Sequence, residues 1–281
     1  MNQNLLLDEL LTAVTQSPKY RAMAPDLIRR IGAAELAKRR SFKEAVKGTK
    51  NKLHQVGGAY WDTAVDYPKA LARLQNAEDE ETRRQIYRDL MRLHASTRER
   101  LPILDEFYAT TLAGLPPIHS VVDMACGLNP LAIPWMPLAA DVVYHAYDIY
   151  GDMLVFLQEY FGLMGINGRT HHQDLLSQPP AEPADLALIL KTLPCLEQAE
   201  SGAAARLLGS IQARHLLISY PAQSLGGRGK GMVGNYEAQF WDLVNSAPAA
   251  AAGEPAAAAG RDWHITRFEF ATELAFLVTT S

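Results

Sequence analysis

The chain has 281 residues, 48% of them hydrophobic, with 27 Lys and Arg against 31 Asp and Glu and a formal net charge of −4, ample for one large domain or two modest ones. No stretch approaches the roughly 20 uninterrupted apolar residues of a membrane span, and MNQNLLLDELL carries two acids where a signal peptide carries basic residues. Cys126 and Cys195 lack CxxC spacing, so neither a disulfide framework nor a zinc site is indicated, and the expectation is a cytoplasmic protein without a metal.

The first 115 residues read as helices. Leu5, Leu6, Leu10 and Leu11, then Leu27, Ile28, Ile31 and Leu36, then Ile86, Leu90, Met91 and Leu93 recur at three- and four-residue spacing, which puts each set on one face. Pro18, Pro25, Pro68, Pro102 and the Gly57-Gly58 pair punctuate them. Charge is unevenly divided: residues 1–110 hold 19 Lys and Arg against 15 acids, residues 111–281 hold 8 against 16. Within the first part, KRRSFKEAVKGTKNKLHQ (38–55) has seven basic residues and one acid, a density whose field draws phosphate, although a solvated helix face has the same composition.

After Pro116-Pro117 short apolar runs alternate with helical stretches. The runs are 119–125, 141–149, 168–175, 184–190 and 214–220, with GDMLVFLQEYFGLMG and SGAAARLLGSIQ as helices between them. This is the βαβ rhythm of a parallel sheet with helices on both faces. There follow a Gly-rich loop at 224–234, a helix around Tyr236 to Asn245, the alanine-rich tract 247–260, and two runs, DWHITRFEF and ELAFLVTT, that read as a closing β-hairpin. The expected organisation is an all-α N-terminal domain over 1–115 and an α/β, Rossmann-like domain over 116–281.

In an open parallel sheet the ligand lies at the carboxyl ends of the strands. The first strand ends in Asp123-Met124-Ala125-Cys126-Gly127, where small residues admit a close backbone approach. The second ends at Asp148, 25 residues after Asp123 and near the spacing at which an acid meets a ribose. The third ends at Gln173-Asp174-Leu175, an acid and an apolar residue suited to an adenine, and the fourth at Leu190-Lys191-Thr192. Each sign alone is weak, since an Asp at a strand end is commonly a turn former or cap. Ala125 also weakens a dinucleotide reading, and neither GxGxxG nor GxxxxGK[ST] is present to cradle phosphates. The joint pattern favours an adenosyl ligand without phosphates, and S-adenosylmethionine fits.

At the motifs GGAYWD (57–62), LHASTRERLPILDEFY (93–108), VVDMACGLNPLAIPWM (121–136), YDIYGDM (147–153), HQDLL (172–176), LILKTLPCLEQ (188–198) and ISYPAQSLGGRGKGM (218–232) the chain resembles the Arm/Rmt aminoglycoside-resistance methyltransferases. These motifs span essentially the whole chain. The resemblance implies a class I S-adenosylmethionine-dependent methyltransferase that modifies N7 of one decoding-site guanine of 16S ribosomal RNA in the 30S subunit. It implies a methyl donor over Ala125 and Gly127, a ribose on Asp148, and an adenine by Asp174 and Leu175. The methionine carboxylate falls to Arg100 beside His94, Ala95 and Ser96; Tyr60 comes down onto the cofactor, and Leu190 and Gln198 complete the pocket.

Guanine N7 carries an unprotonated lone pair, so no general base is expected; positioning and charge stabilisation suffice. Lys191 is expected to position the target nucleotide, and Trp135 and Tyr236 are candidates for stacking on an extruded base. Lys38, Arg39, Arg40, Lys43, Lys47, Lys50 and Lys52, with Arg228, Lys230 and Met232, are the expected RNA contacts of a monomer that reads the folded subunit surface. Two other readings stand beside this one: a methyltransferase of a small molecule, and a non-catalytic ribosome-binding protein on a methyltransferase fold. Adenine N1 also offers a ring lone pair, and residue chemistry alone does not separate it from guanine N7.

Overall fold

The computed structural model describes residues 3–58, 60–61, 65–222, 231–246 and 263–280. Among the described residues seven α-helices come first: α1 (Gln3–Thr15), α2 (Pro25–Lys38), α3 (Phe42–Leu53), α4 (Tyr67–Gln75), α5 (Glu80–Met91), α6 (Ala95–Arg100) and α7 (Leu104–Thr111). Their starts follow local chemistry. Pro25 opens α2 with Asp26 in its first turn, Ser41 Oγ accepts the Glu44 N–H at α3, and Asp66 and Asp79 cap α4 and α5 by accepting from Lys69 N (3.0 Å) and Thr82 N (2.7 Å). A π-helical turn, His54–Gly58, leads away from α3.

The remainder is β1 (Ser120–Met124), β2 (Val143–Asp148), α8 (Gly151–Met164), β3 (Asn167–His172), β4 (Ala184–Leu190), α9 (Leu193–Ala199), α10 (Ala203–Ser210), β5 (Ala213–Pro221), α11 (Met232–Ser246), β6 (Trp263–Glu269) and β7 (Glu273–Thr280). The strands form one sheet in the order β3-β2-β1-β4-β5-β7-β6. β1 to β5 pair parallel, whereas β7 is antiparallel to both β5 and β6, so the expected closing hairpin joins the edge of the Rossmann-like sheet. Strand order reverses between β1 and β4, the switch point at which such sheets bind ligands. The third strand was expected over 168–175 but stops at His172. Its chain turns off the sheet as Gln173 N–H donates to Asp148 O (3.2 Å) and Asp174 N–H to Asp26 of α2 (2.9 Å).

Among the described residues three apolar clusters hold these layers. One face of the sheet, with Tyr144, Leu186 and Leu188, packs with Ile86, Tyr87, Phe107, Tyr108, Phe156 and Phe161, so α5 and α7 share the core of α8. The other face, with Val122, Ile189 and Ile218, packs under Leu207, Leu208 and Phe240. The helices α1 to α3 form a separate cluster around Leu10, Val14, Leu27, Ile28 and Leu53. Among the described residues no helix is long and apolar enough to cross a membrane. Arg228, Lys230 and the tract 247–260 lie outside the described residues.

Candidate functional site

The loop after β1 makes the floor of the main cavity. Ala125 (φ 51°) and Gly127 (φ 50°) both sit in the left-handed region, strained for alanine and accessible to glycine. A Cβ at Gly127 would lie 2.7 Å from the His94 ring, so the glycine also permits that contact. Gly127 N–H donates to Asp148 Oδ2 (2.9 Å), while Asp148 Oδ1 accepts from Ile149 N (2.7 Å) and Tyr150 N (3.2 Å). Burial raises the Asp148 pKa and these three N–H groups oppose the rise.

The cavity holds about 820 Å³ of empty space, its open mouth included. It crosses the ends of β1, β2 and β4, and of the candidate residues Ala125, Asp148, Leu175, Leu190, Ser96 and Tyr60 line it. Tyr60 reaches Cys195 Sγ through its hydroxyl (2.6 Å) and stacks near His94, ring centroids 5.8 Å apart. Ala95, one residue behind the lining, fixes Tyr60 by donating its N–H to Tyr60 O (2.9 Å). His94 is half-buried, and its pKa falls to about 3 through desolvation and the charges of Lys191, Arg98 and Arg100, so the ring is neutral at pH 7. Its Nδ1 has no hydrogen-bond partner among the described residues.

A charge network lies beside this wall. Lys191 (φ 60°) lines the cavity, but its ammonium turns to Glu99 (2.8 Å), Glu273 of β7 (3.1 Å) and Ser96 O (3.3 Å). In this arrangement two acids hold the ammonium inside the protein. Arg100 does not line the cavity: its guanidinium pairs with Glu273 (2.9 Å) and donates to Asn129 Oδ1 (2.9 Å). Burial opposes the Arg100 charge, and Glu273, Tyr108 and Asp123 together raise its pKa all the same; conversely, burial would raise the Glu273 pKa, but Arg100 and Lys191 bring it below the ordinary range.

Asp174 is bound across the gap to the helices. Arg30 of α2 donates to its two oxygens (2.6 and 3.2 Å) and also to Glu200 (2.7 Å), and Ser177 Oγ donates to Asp174 (2.7 Å). Arg30, Ile149, Tyr150 and Met153 also line the cavity, although the sequence marked none of them as a site residue, and Thr192 and Cys195 line it beside them. Ile149 and Tyr150 adjoin Asp148 within a quoted motif and could have been found. Arg30 carried no local signal, being 144 residues from Asp174. Gln198 does not complete the pocket: α9 turns Cys195, Leu196 and Ala199 inward, which leaves Gln198 exposed.

On the outer surface, Lys38, Arg39, Arg40, Lys43 and Lys47 are exposed, Lys50 and Lys52 half-buried, and Arg39 pairs with Glu35 (2.8 Å). Met232 is half-buried at the start of α11. Neither stacking candidate lines the cavity. Trp135 donates to Asp105 (2.8 Å) beneath Arg84 and Arg88, and Tyr236 stacks on Tyr220.

The profile of the Ribosomal RNA methyltransferase (FmrO) family matches residues 16–277. The chain is 37% identical over 277 residues to the 16S rRNA (guanine(1405)-N(7))-methyltransferase of Micromonospora rosea, covering 97% of this chain and 96% of that protein. It is 38% identical over 240 residues to the Serratia marcescens protein of the same name, covering 83% and 88%. The solved structure of the 16S rRNA methylase RmtB superposes with a TM-score of 0.78 at 30% identity over 98% of each chain. That of the 16S rRNA methyltransferase RmtF in complex with S-adenosyl-L-homocysteine gives 0.78 at 33% identity, again over 98% of each. With a profile that spans nearly all of its length and relatives this similar, the chain belongs to the ribosomal RNA methyltransferase (FmrO) family.

Proposed function

We propose that the protein is an S-adenosylmethionine-dependent 16S rRNA (guanine(1405)-N7)-methyltransferase, the activity that its relatives' names give, and that it protects ribosomes from aminoglycosides. It acts as a cytoplasmic monomer on the assembled 30S subunit. The observation that carries the reading is the cavity at the switch point, with Asp148 anchored by three backbone N–H groups at its wall.

The residues present fit the cofactor. Asp148 keeps lone pairs for two ribose hydroxyls once its orientation is fixed. Leu175, Ile149 and Leu196 supply apolar walls for an adenine, with Asp174 at its edge. The strained Ala125 turn, Ser96 and His94 face the methionine end, and neutral His94 adds no positive charge beside a sulfonium. For Arg100 to take the methionine carboxylate, as the resemblance implies, it must exchange Glu273 for the ligand.

When bound, the cofactor supplies an electrophilic methyl group. Guanine N7 needs no deprotonation, so the chain has to align the base and keep water out. Tyr60 and His94 close one wall of the cavity. Lys191 serves as a positioning residue, its charge balanced by Glu99 and Glu273 while its strained backbone shapes the turn after β4. Helices α1 to α3, within the helical region 1–115, offer the exposed basic face for RNA phosphates, which position without reading sequence.

Transfer of labelled methyl from S-adenosylmethionine to intact small subunits, naked 16S RNA and whole ribosomes tests this, with the modified base mapped. The expected result is label on the single decoding-site guanine of subunits alone. Cofactor binding without label on any RNA would favour the small-molecule methyltransferase.

A further inference from the structure

Away from the cavity, one cluster of side chains has the composition and spacing of a metal centre. β2 and β3 run parallel with Tyr147 opposite His171 and His145 opposite Arg169, so alternation puts His145, Tyr147 and His171 on one face of the sheet. His145 Nδ1 lies 2.9 Å from His171 Nε2. Glu182, in the connection from β3 to β4, brings a carboxylate to the pair, and the three potential ligand atoms all lie within 4.8 Å of one another. All three residues are half-buried.

The groups that orient them are also in place. Tyr147 stacks flat on the His171 ring, centroids 4.2 Å apart and planes 9° off parallel, and its hydroxyl donates to Glu182 Oε2. A hydrogen bond of this kind fixes a ligating carboxylate from behind and leaves Oε1 for an ion. Burial lowers the pKa of both imidazoles, which favours the neutral form that ligates a metal. Exposed Arg169 opposes a cation here, and the Glu182 charge offsets it.

We propose that His145, His171 and Glu182 form a binding site for a borderline divalent transition-metal ion, zinc foremost, which ties β2 and β3 to the connection that leads into β4. Two imidazoles bound to a tetrahedral ion at about 2.0–2.1 Å stand about 3.3 Å apart, so the pair has to open by only about 0.4 Å. The proton the two rings share moves to an outer ring nitrogen, and both facing lone pairs become ligands. Calcium and magnesium, which demand oxygen shells, do not fit this donor set. The connection that ends at Glu182 begins with Gln173, Asp174 and Leu175 on the cavity rim, so the ion would brace the far end of the segment that flanks the adenine position. The site is structural and independent of the methyl transfer.

The full chain, stripped with chelator, is titrated with cobalt and then zinc. One equivalent of cobalt should give visible d–d absorption that zinc bleaches. Zinc at a hundredfold excess over its dissociation constant should raise the thermal midpoint by about 5 °C. Glu182→Gln, which keeps an acceptor for Tyr147, and His171→Gln should each weaken binding at least tenfold with unchanged circular dichroism, whereas His119→Gln should not. Absence of both signals in the unaltered chain, or undiminished binding in the Glu182→Gln/His171→Gln double variant, would reduce the cluster to a hydrogen-bonded pair and overturn the proposal.

Discussion

Helices α1 to α3 and helices α4 to α7 look alike in sequence, yet they are stabilised differently. The second set puts Ile86, Tyr87, Phe107 and Tyr108 into the cluster that also holds Leu186 and Leu188 of the sheet. The first set has its own small core and meets the sheet at the rim of the cavity through polar ties. Ala24 N–H donates to Ile149 O (2.8 Å), Gly151 N–H to Ala22 O (2.8 Å), and Arg30 and Asp26 hold Asp174, with Ile149 and Tyr150 the apolar part of the join. Helical periodicity therefore reports that a face is buried, not which core buries it.

The sharpest way to break this comparison is Phe107→Ala. The ring is fully buried against Tyr108 and Phe270, so its loss should cost about 3–5 kcal/mol. Denaturant melts should show one earlier transition, and hydrogen exchange should rise in α4 to α7 and the sheet together; exchange confined to the helices would refute a shared core. Arg30→Ala comes next, at about 1–2 kcal/mol, because Arg30 is a quarter exposed while the partner it abandons is buried. Here α1 to α3 should lose protection before the sheet does, and calorimetry should find cofactor affinity about tenfold weaker.

His94 gives a pH-dependent test. Its pKa is about 3 in the folded chain and about 6.5 unfolded, so between those values the unfolded chain binds more protons and stability falls as pH falls. The loss is about 1.4 kcal/mol at pH 5.5. His94→Gln should flatten that part of the stability curve, and an unchanged slope between pH 7.5 and 5.5 would show the ring is not the titrating group. Lys47→Glu should have the smallest effect on stability, within about 0.5 kcal/mol, since the side chain is exposed. Subunit binding should weaken while cofactor affinity holds; equal loss of both would end the division of labour between the two regions.

Most of the sheet could be read from the sequence, because fully buried parallel strands are continuous apolar runs. ADLALIL was expected over 184–190 and forms β4 over those residues, and the closing pair ends as an antiparallel hairpin. The third strand ran short because what ends it is a backbone donor reaching Asp26, a residue 148 positions away. The site divides the same way. Asp148 and Ala125 announce themselves at strand ends, whereas Arg30 looks like any charged residue on a helix face until Asp174 is placed beside it. Arg100 and Lys191 were legible as charges but not as partners of Glu273, which a strand on the far side of the switch point delivers. The His145–His171 pair was hidden for the same reason, since strand register and not spacing brings them together.

The pairing of Arg100 with Glu273 also bears on the order in which the chain acquires its fold. The two residues are 173 positions apart, and at about 5–20 residues per second the ribosome makes the arginine some ten to thirty seconds before its counterion. Until β7 slides between β5 and β6, α6 has to keep a cation that its finished environment does not tolerate unpaired. The growing chain thus cannot bury that guanidinium before β7 is made without a heavy penalty.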